Sequence, residues 1–262
     1  MRKLKSILIF LQSFPISVIL WKFKCKILNS KIPQLEQWQQ YFVSKNGIEI
    51  GGPSAIFKTN GFLPLYKLIT NLDGVNFSNK TVWEGNLSER MPFVFEGKKG
   101  RQYISEGSNL EYIENYAYDF VISCNNLEHI ANPIKAIYEW KRVLKSKGVL
   151  LLILPKKEAN FDHKREFTQF NHLIEDFKSQ TNENDLTHVE EILKKHDLKR
   201  DPQAGSFKSF ESRCYSNLEN RCLHHHVFSE NLLKGIILYC EMEVKITHTS
   251  KTDIFILAEN KF

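Results

Sequence analysis

Apolar residues along this chain come in short runs, separated by stretches in which they recur at helical spacing. Strand-length segments are found at Ile48–Ile50, Leu72–Phe77, Gln102–Ser105, Tyr118–Ser123, Val149–Leu154, Glu243–Thr247 and Ile254–Ala258. Helical spacing fits residues 34–44, 65–70, 109–114, 133–145, 169–178, 185–196 and 229–237. Strands alternating with helices predict an α/β domain: a doubly wound, mostly parallel sheet with helices on both faces. Only Thr249-Ser250-Lys251-Thr252 joins the last two strands, too little for a crossover helix, so they are expected to form an antiparallel hairpin. The expected organisation is a helical arm over residues 1–45 and one domain over 46–262, with an insertion near 156–235 ahead of the hairpin.

Composition fits a single core, because 262 residues at 42% hydrophobic content bury enough apolar surface for one domain. Charge adds something new only at the N-terminus. The net charge is +6, yet Arg2, Lys3, Lys5, Lys22, Lys24, Lys26 and Lys31 fall within the first 31 residues, with no acid among them. Without that arm the body is close to neutral, which argues against a nucleic-acid-binding surface. Residues 6–21, SILIFLQSFPISVILW, are apolar but interrupted by Gln12 and Pro15. The run falls short of the roughly 20 apolar residues of a spanning helix. No small-residue cleavage site follows it, so it does not read as a signal peptide. The arm is expected to pack on its own domain or to lie on an anionic membrane surface. Cys25, Cys124, Cys214, Cys222 and Cys240 are scattered, with no C-x-x-C pair. That fits a reducing, cytoplasmic setting, with peripheral membrane contact through residues 1–31.

Two segments carry most of the chemistry. Glu49-Ile50-Gly51-Gly52-Pro53-Ser54 runs from a strand into a glycine turn, where a backbone can approach a ligand closely and an acid can meet an amine or hydroxyl. Tyr118-Asp119-Phe120-Val121-Ile122-Ser123-Cys124-Asn125-Asn126-Leu127-Glu128-His129-Ile130-Ala131-Asn132-Pro133 joins an apolar strand to a polar strand end. It leads into a helix with Asn132 as cap and Pro133 at the first position. Arg142-Val143-Leu144-Lys145 then precedes Gly148 and the apolar run 149–154.

These blocks resemble the class I, Rossmann-like S-adenosylmethionine-dependent methyltransferases, specifically the methyltransferase type 11 group. The likeness covers roughly residues 47–155, and the closing hairpin fits the same fold. It implies a seven-stranded sheet that binds S-adenosylmethionine at the C-terminal strand ends and transfers the methyl in line to a nucleophile. Position by position, it places Glu49, Gly51 and Gly52 in the first cofactor motif, around the methionine end. Asn76 falls where an acid usually meets the ribose hydroxyls, Glu106 at the adenine edge, and Asn125 and Asn126 on the floor near the transferring methyl. The sequence departs from the pattern in its Gly-Gly-Pro-Ser loop, in Asn76, and in the long connection over residues 79–100.

The insertion holds most of the nine histidines and lies where the family builds its acceptor pocket. A histidine titrating near neutrality can take the acceptor's proton. His163 is the first candidate, with neighbouring Asp162 to orient it; His129 and His226 follow. No metal is expected, because H-x-x-x-H and H-E-x-x-H are both missing, although His224 with His226, or His188 with Asp185, would suit zinc. Asp185 also reads as a simple helix cap. The expected activity is methyl transfer to an oxygen or nitrogen of a small-molecule or glycan acceptor. A metal-assisted hydrolase and a catalytically inactive binding protein on the same scaffold are the alternatives.

Overall fold

The structure is a computed structural model, and it describes residues 13–81, 85–88 and 90–261. Seven strands form the main sheet: β1 (Asn46–Ile50), β2 (Asn71–Asn76), β3 (Gln102–Ile104), β4 (Tyr118–Cys124), β5 (Leu144–Pro155), β6 (Met242–Thr249) and β7 (Asp253–Asn260). Their order across the sheet is β3-β2-β1-β4-β5-β7-β6. The first five are parallel to one another, and β7 runs antiparallel between β5 and β6. All seven strands sit at the expected places. β5 is the one that grows most, starting at Leu144 ahead of Gly148 rather than after it.

Alternation along the central strands sends side chains to two separate cores. Val121, Leu150, Leu152, Ile254 and Ile256 face one way. Against them pack α3 (Pro133–Val143), α4 (Phe170–Lys178) and α8 (Glu230–Tyr239). Asn132 caps α3 as its sequence predicts, its Oδ1 accepting from the Lys135 amide at 3.1 Å. Phe120, Ile122, Leu151, Ile153, Phe255 and Leu257 face the other way. There they meet Trp38 of the short α2 (Leu35–Gln39) and a layer of Phe42, Phe57, Leu63, Leu65 and Tyr66, most of it irregular chain.

Residues 65–70 and 109–114 are turns, not the expected helices. In both, a neighbouring cation takes up carbonyls that a helix would otherwise satisfy internally. Lys98 Nζ donates to the Tyr66 and Ile69 carbonyls at 3.0 and 2.8 Å. Arg142 donates to the Leu110 and Ile113 carbonyls, each at 2.8 Å. In the long connection after β2, residues 80–81 pair antiparallel with 85–86 and residues 93–95 with 98–100; Trp83 lies outside the described residues.

The insertion contributes α4, α5 (Val189–Lys195), α6 (Phe207–Tyr215) and α7 (Asn217–Asn220); α6 and α7 lie outside every helical segment expected from the sequence. In the arm, whose first twelve residues lie outside the described ones, α1 (Ile16–Ile27) rests on the body. Val18 is buried, and Trp21 packs edge-on against Phe62 with ring centroids 5.9 Å apart. Its outer face is apolar and open to solvent: Ile16, Leu20, Phe23 and Ile27 are 75%, 62%, 66% and 62% exposed. Among the described residues, no helix is long and apolar enough to cross a membrane.

Candidate active site

Connections leave β1 in one direction toward β2 and β3, and β4 and β5 lie on its other side. A sheet that reverses in this way opens a crevice beyond its C-terminal strand ends. A cavity of about 460 Å³ occupies that position. Ile50 and Gly51 line it from β1, Asn76 and Phe77 from β2, Glu106 from the end of β3, and Asn125 and Asn126 from the end of β4. His129 also lines it, and Glu183 and Arg221 reach it from the insertion.

The glycine turn is shaped by a carboxylate beneath it. Glu49 is fully buried; its Oε1 accepts from the Ser54 amide at 2.9 Å, and the Tyr66 hydroxyl donates to its Oε2 at 2.7 Å. Burial and the Glu49 charge push the Tyr66 hydroxyl far above its ordinary range, so it remains a donor. A Cβ on Gly52 would lie 2.1 Å from Glu49 Cδ, which is why no side chain fits there. At Gly51, φ is +80° and a Cβ would meet Asn126 Nδ2 at 2.5 Å, so this position also calls for glycine. Gly51 therefore faces the cavity, while Glu49 and Gly52 stand behind it and hold the turn. No α-helix follows the turn, so it lacks the row of free amides that a helix N-terminus would add.

On the opposite wall, Asn76 Nδ2 donates to the Gly52 carbonyl at 3.4 Å, tying β2 to the turn. Asn126 Oδ1 is buried and accepts no hydrogen bond among the described residues, so a ligand N–H or O–H would satisfy it. Glu106 does not face the cavity alone, because Arg221 of the insertion bonds to its Oε1. The Arg221 guanidinium sits 5.0 Å from the centre of the Phe77 ring. Glu183, 3.9 Å from Arg221 Nε, accepts from the Ala131 amide at 3.2 Å. Burial and the nearby Glu106 charge push its carboxyl up to about 7.

The expected pairing of Asp162 with His163 does not form. Asp162 is buried, where it meets His224 Nδ1 and Arg165 Nη1. Burial opposes ionisation there, but His224 and Arg165 hold the Asp162 carboxyl down at about 2. His163 bonds instead to Asp197 at 3.0 Å and is not part of the cavity wall. His129 is the expected histidine that does reach the cavity. Its Nδ1 lies 2.9 Å from the Leu223 carbonyl, and its ring meets His224 edge-on at 4.5 Å. Burial and the His224 charge lower its pKa well below the usual value, keeping the ring neutral. His226 is buried, with Nε2 3.0 Å from the Ala131 carbonyl, and does not line the cavity. Asp185 forms a local turn with Thr187 rather than capping α5.

Tyr66, Glu183 and Arg221 were not legible in the sequence as site residues. Tyr66 lies in a segment with helical spacing, and nothing in the local pattern around the other two marks them.

Sheet order, crevice and polar strand ends together define a class I, Rossmann-like fold. Residues 69–152 match the methyltransferase domain of the type 11 family. Over those residues, about a third of the chain, it is similar to that methyltransferase domain. No curated protein matches it. Among solved structures it is similar to a proposed methyltransferase of Bacillus halodurans, with 9% identity, 87% of this chain and 98% of that one covered, and a TM-score of 0.49. A SAM-dependent methyltransferase of Methanosarcina mazei shows 17% identity, 88% and 98% coverage and a TM-score of 0.48. One from Aquifex aeolicus shows 12% identity, 86% and 89% coverage and a TM-score of 0.43.

Proposed function

We propose that this enzyme methylates an oxygen or nitrogen of a small-molecule or glycan acceptor, with both substrates held in the switch-point cavity. The observation that carries this reading is the cavity at the strand ends, whose wall brings His129 together with Asn125 and Asn126. When bound, S-adenosylmethionine supplies an electrophilic methyl on its sulfonium. The glycine turn at Gly51 would let the cofactor approach the backbone, and Asn126 Oδ1 would accept a hydrogen bond from its amine. Asn76 would meet the ribose hydroxyls, a neutral partner in place of the usual acid. Ile50, Val75, Phe77 and Ile130 would give the adenine an apolar bed. His129, on the cavity wall, would be the group placed to receive the acceptor's proton. A near-neutral body and a cavity walled by the insertion suit a compact or glycan acceptor better than a polyanion.

Isothermal titration with S-adenosylmethionine and S-adenosylhomocysteine tests the cofactor half. Micromolar binding is expected, weakened about tenfold by Asn126→Ala, the loss of one ligand hydrogen bond. In an acceptor screen read by S-adenosylhomocysteine release, His129→Ala should bind cofactor normally and turn over poorly. A folded protein that binds neither ligand would sink the reading.

The α1 surface favours a location as well: the enzyme works at the cytoplasmic face of a membrane, held by its arm. Support comes from the exposed apolar row Ile16, Leu20, Phe23 and Ile27, flanked by Lys22, Lys24 and Lys26.

A further inference from the structure

Behind the cavity, the insertion gathers a second group of histidines that the proposed methyl transfer does not use. His172 and Asp176 are four residues apart on α4 and so share one face of the helix. His188 comes from the residue just before α5, and His226 from the segment leading to α8. Ring nitrogens of His172, His188 and His226 lie within 4.8 Å of one another. His172 Nε2 is 3.1 Å from His188 Nε2 and 3.4 Å from Asp176 Oδ2. Asp176 Oδ2 is in turn 3.8 Å from His226 Nε2.

Hydrogen bonding within the protein does not account for this arrangement. A bond between His172 and His188 would explain their approach, but it leaves two buried atoms unmatched. Asp176 Oδ2 and His226 Nδ1 are both buried and accept no hydrogen bond among the described residues. Asp176 and His226 are only 8% and 1% exposed, so water does not readily substitute. Orientation is fixed from outside the group, as ligand side chains require. Thr181 Oγ1 donates to Asp176 Oδ1 at 3.1 Å, and the Ala131 carbonyl lies 3.0 Å from His226 Nε2.

We propose that His172, His188, His226 and Asp176 bind one divalent transition-metal ion of the zinc class. Three imidazoles and a carboxylate are borderline donors that select zinc or its neighbours over magnesium or calcium. A tetrahedron with zinc–nitrogen bonds of about 2.0–2.1 Å has edges of about 3.3 Å, close to the 3.1 Å between His172 and His188 and the 3.4 Å between His172 and Asp176. His226 would offer Nδ1, since its Nε2 faces the Ala131 carbonyl. His172 is partly exposed, its side chain at 36%, which gives the ion a path from solvent. The site joins α4, the start of α5 and the segment after Arg221, so the ion would clamp the insertion that walls the cavity.

The full-length protein, incubated with zinc and desalted, is assayed by elemental mass spectrometry, with circular dichroism to check folding. One zinc per chain is expected in the parent protein. His172→Ala and His188→Ala should lose it. Glu128→Gln, in the neighbouring group of Glu128, His129 and His224, should keep it. Cobalt(II) loading of the parent protein needs no variant and should give the visible bands of a tetrahedral site. Absence of zinc in the folded parent protein overturns the proposal. So does zinc that survives His172→Ala but is lost with Glu128→Gln. Neither readout depends on methyl transfer, so failure of the proposed reaction would leave this result distinct.

Discussion

Glu183 shows how one side chain can register the closure of the cavity. Burial and Glu106 push its carboxyl up to about 7, against an ordinary value of 4.5. Between those two values the folded protein keeps a proton that the unfolded chain has released. Stability therefore falls as pH rises through this window and levels off above it. Glu183→Gln removes the titration and should flatten that slope by up to about 1.4 kcal/mol per pH unit. Urea denaturation of both proteins between pH 5 and 8 measures the difference; parallel slopes would mean that Glu183 is ionised throughout. Sequence shows less at this scale than at any other. Asp162 and His163 look paired because they are adjacent, but one turns into the interior toward His224 and the other outward to Asp197. Adjacency in an irregular segment does not fix direction, and the partners lie 62 and 34 residues away.

Elements are far more legible, for a reason visible in the core. Each central strand sends alternate side chains into two hydrophobic layers, so every strand is a compact apolar run bounded by polar residues. The strand-end site positions follow from those runs together with the glycine turn. The connections are harder to read. Leu63, Leu65, Tyr66 and Ile69 are all buried against the sheet, and their spacing imitates a helix although the chain is irregular. The link between β1 and β2 is instead ordered by Glu49, Ser54 and Tyr66. Tyr66→Phe removes a hydrogen bond to a buried carboxylate and should cost about 1.5–3 kcal/mol. Guanidinium denaturation checks the figure, and a loss below about 0.5 kcal/mol would show that the Tyr66 hydroxyl is not what holds the carboxylate.

For the molecule as a whole, charge and shape divide it into two parts. The basic excess of the chain lies in the arm, where α1 turns an open apolar face away from a body close to neutral. Sedimentation with vesicles rich in anionic lipid should carry down the full chain, and added salt should weaken that binding. Leu20→Asp with Phe23→Asp should leave the protein in the supernatant without unfolding it, since both residues are exposed. Equal sedimentation of the variant would remove the arm from any membrane role.

The ion pair between Arg221 and Glu106 joins the farthest strand of the parallel half to the inserted segment across the cavity wall. A ligand that bonds Glu106 would therefore meet a carboxylate whose charge the inserted segment already balances, so the cavity presents it as a neutral pair rather than as a bare acid.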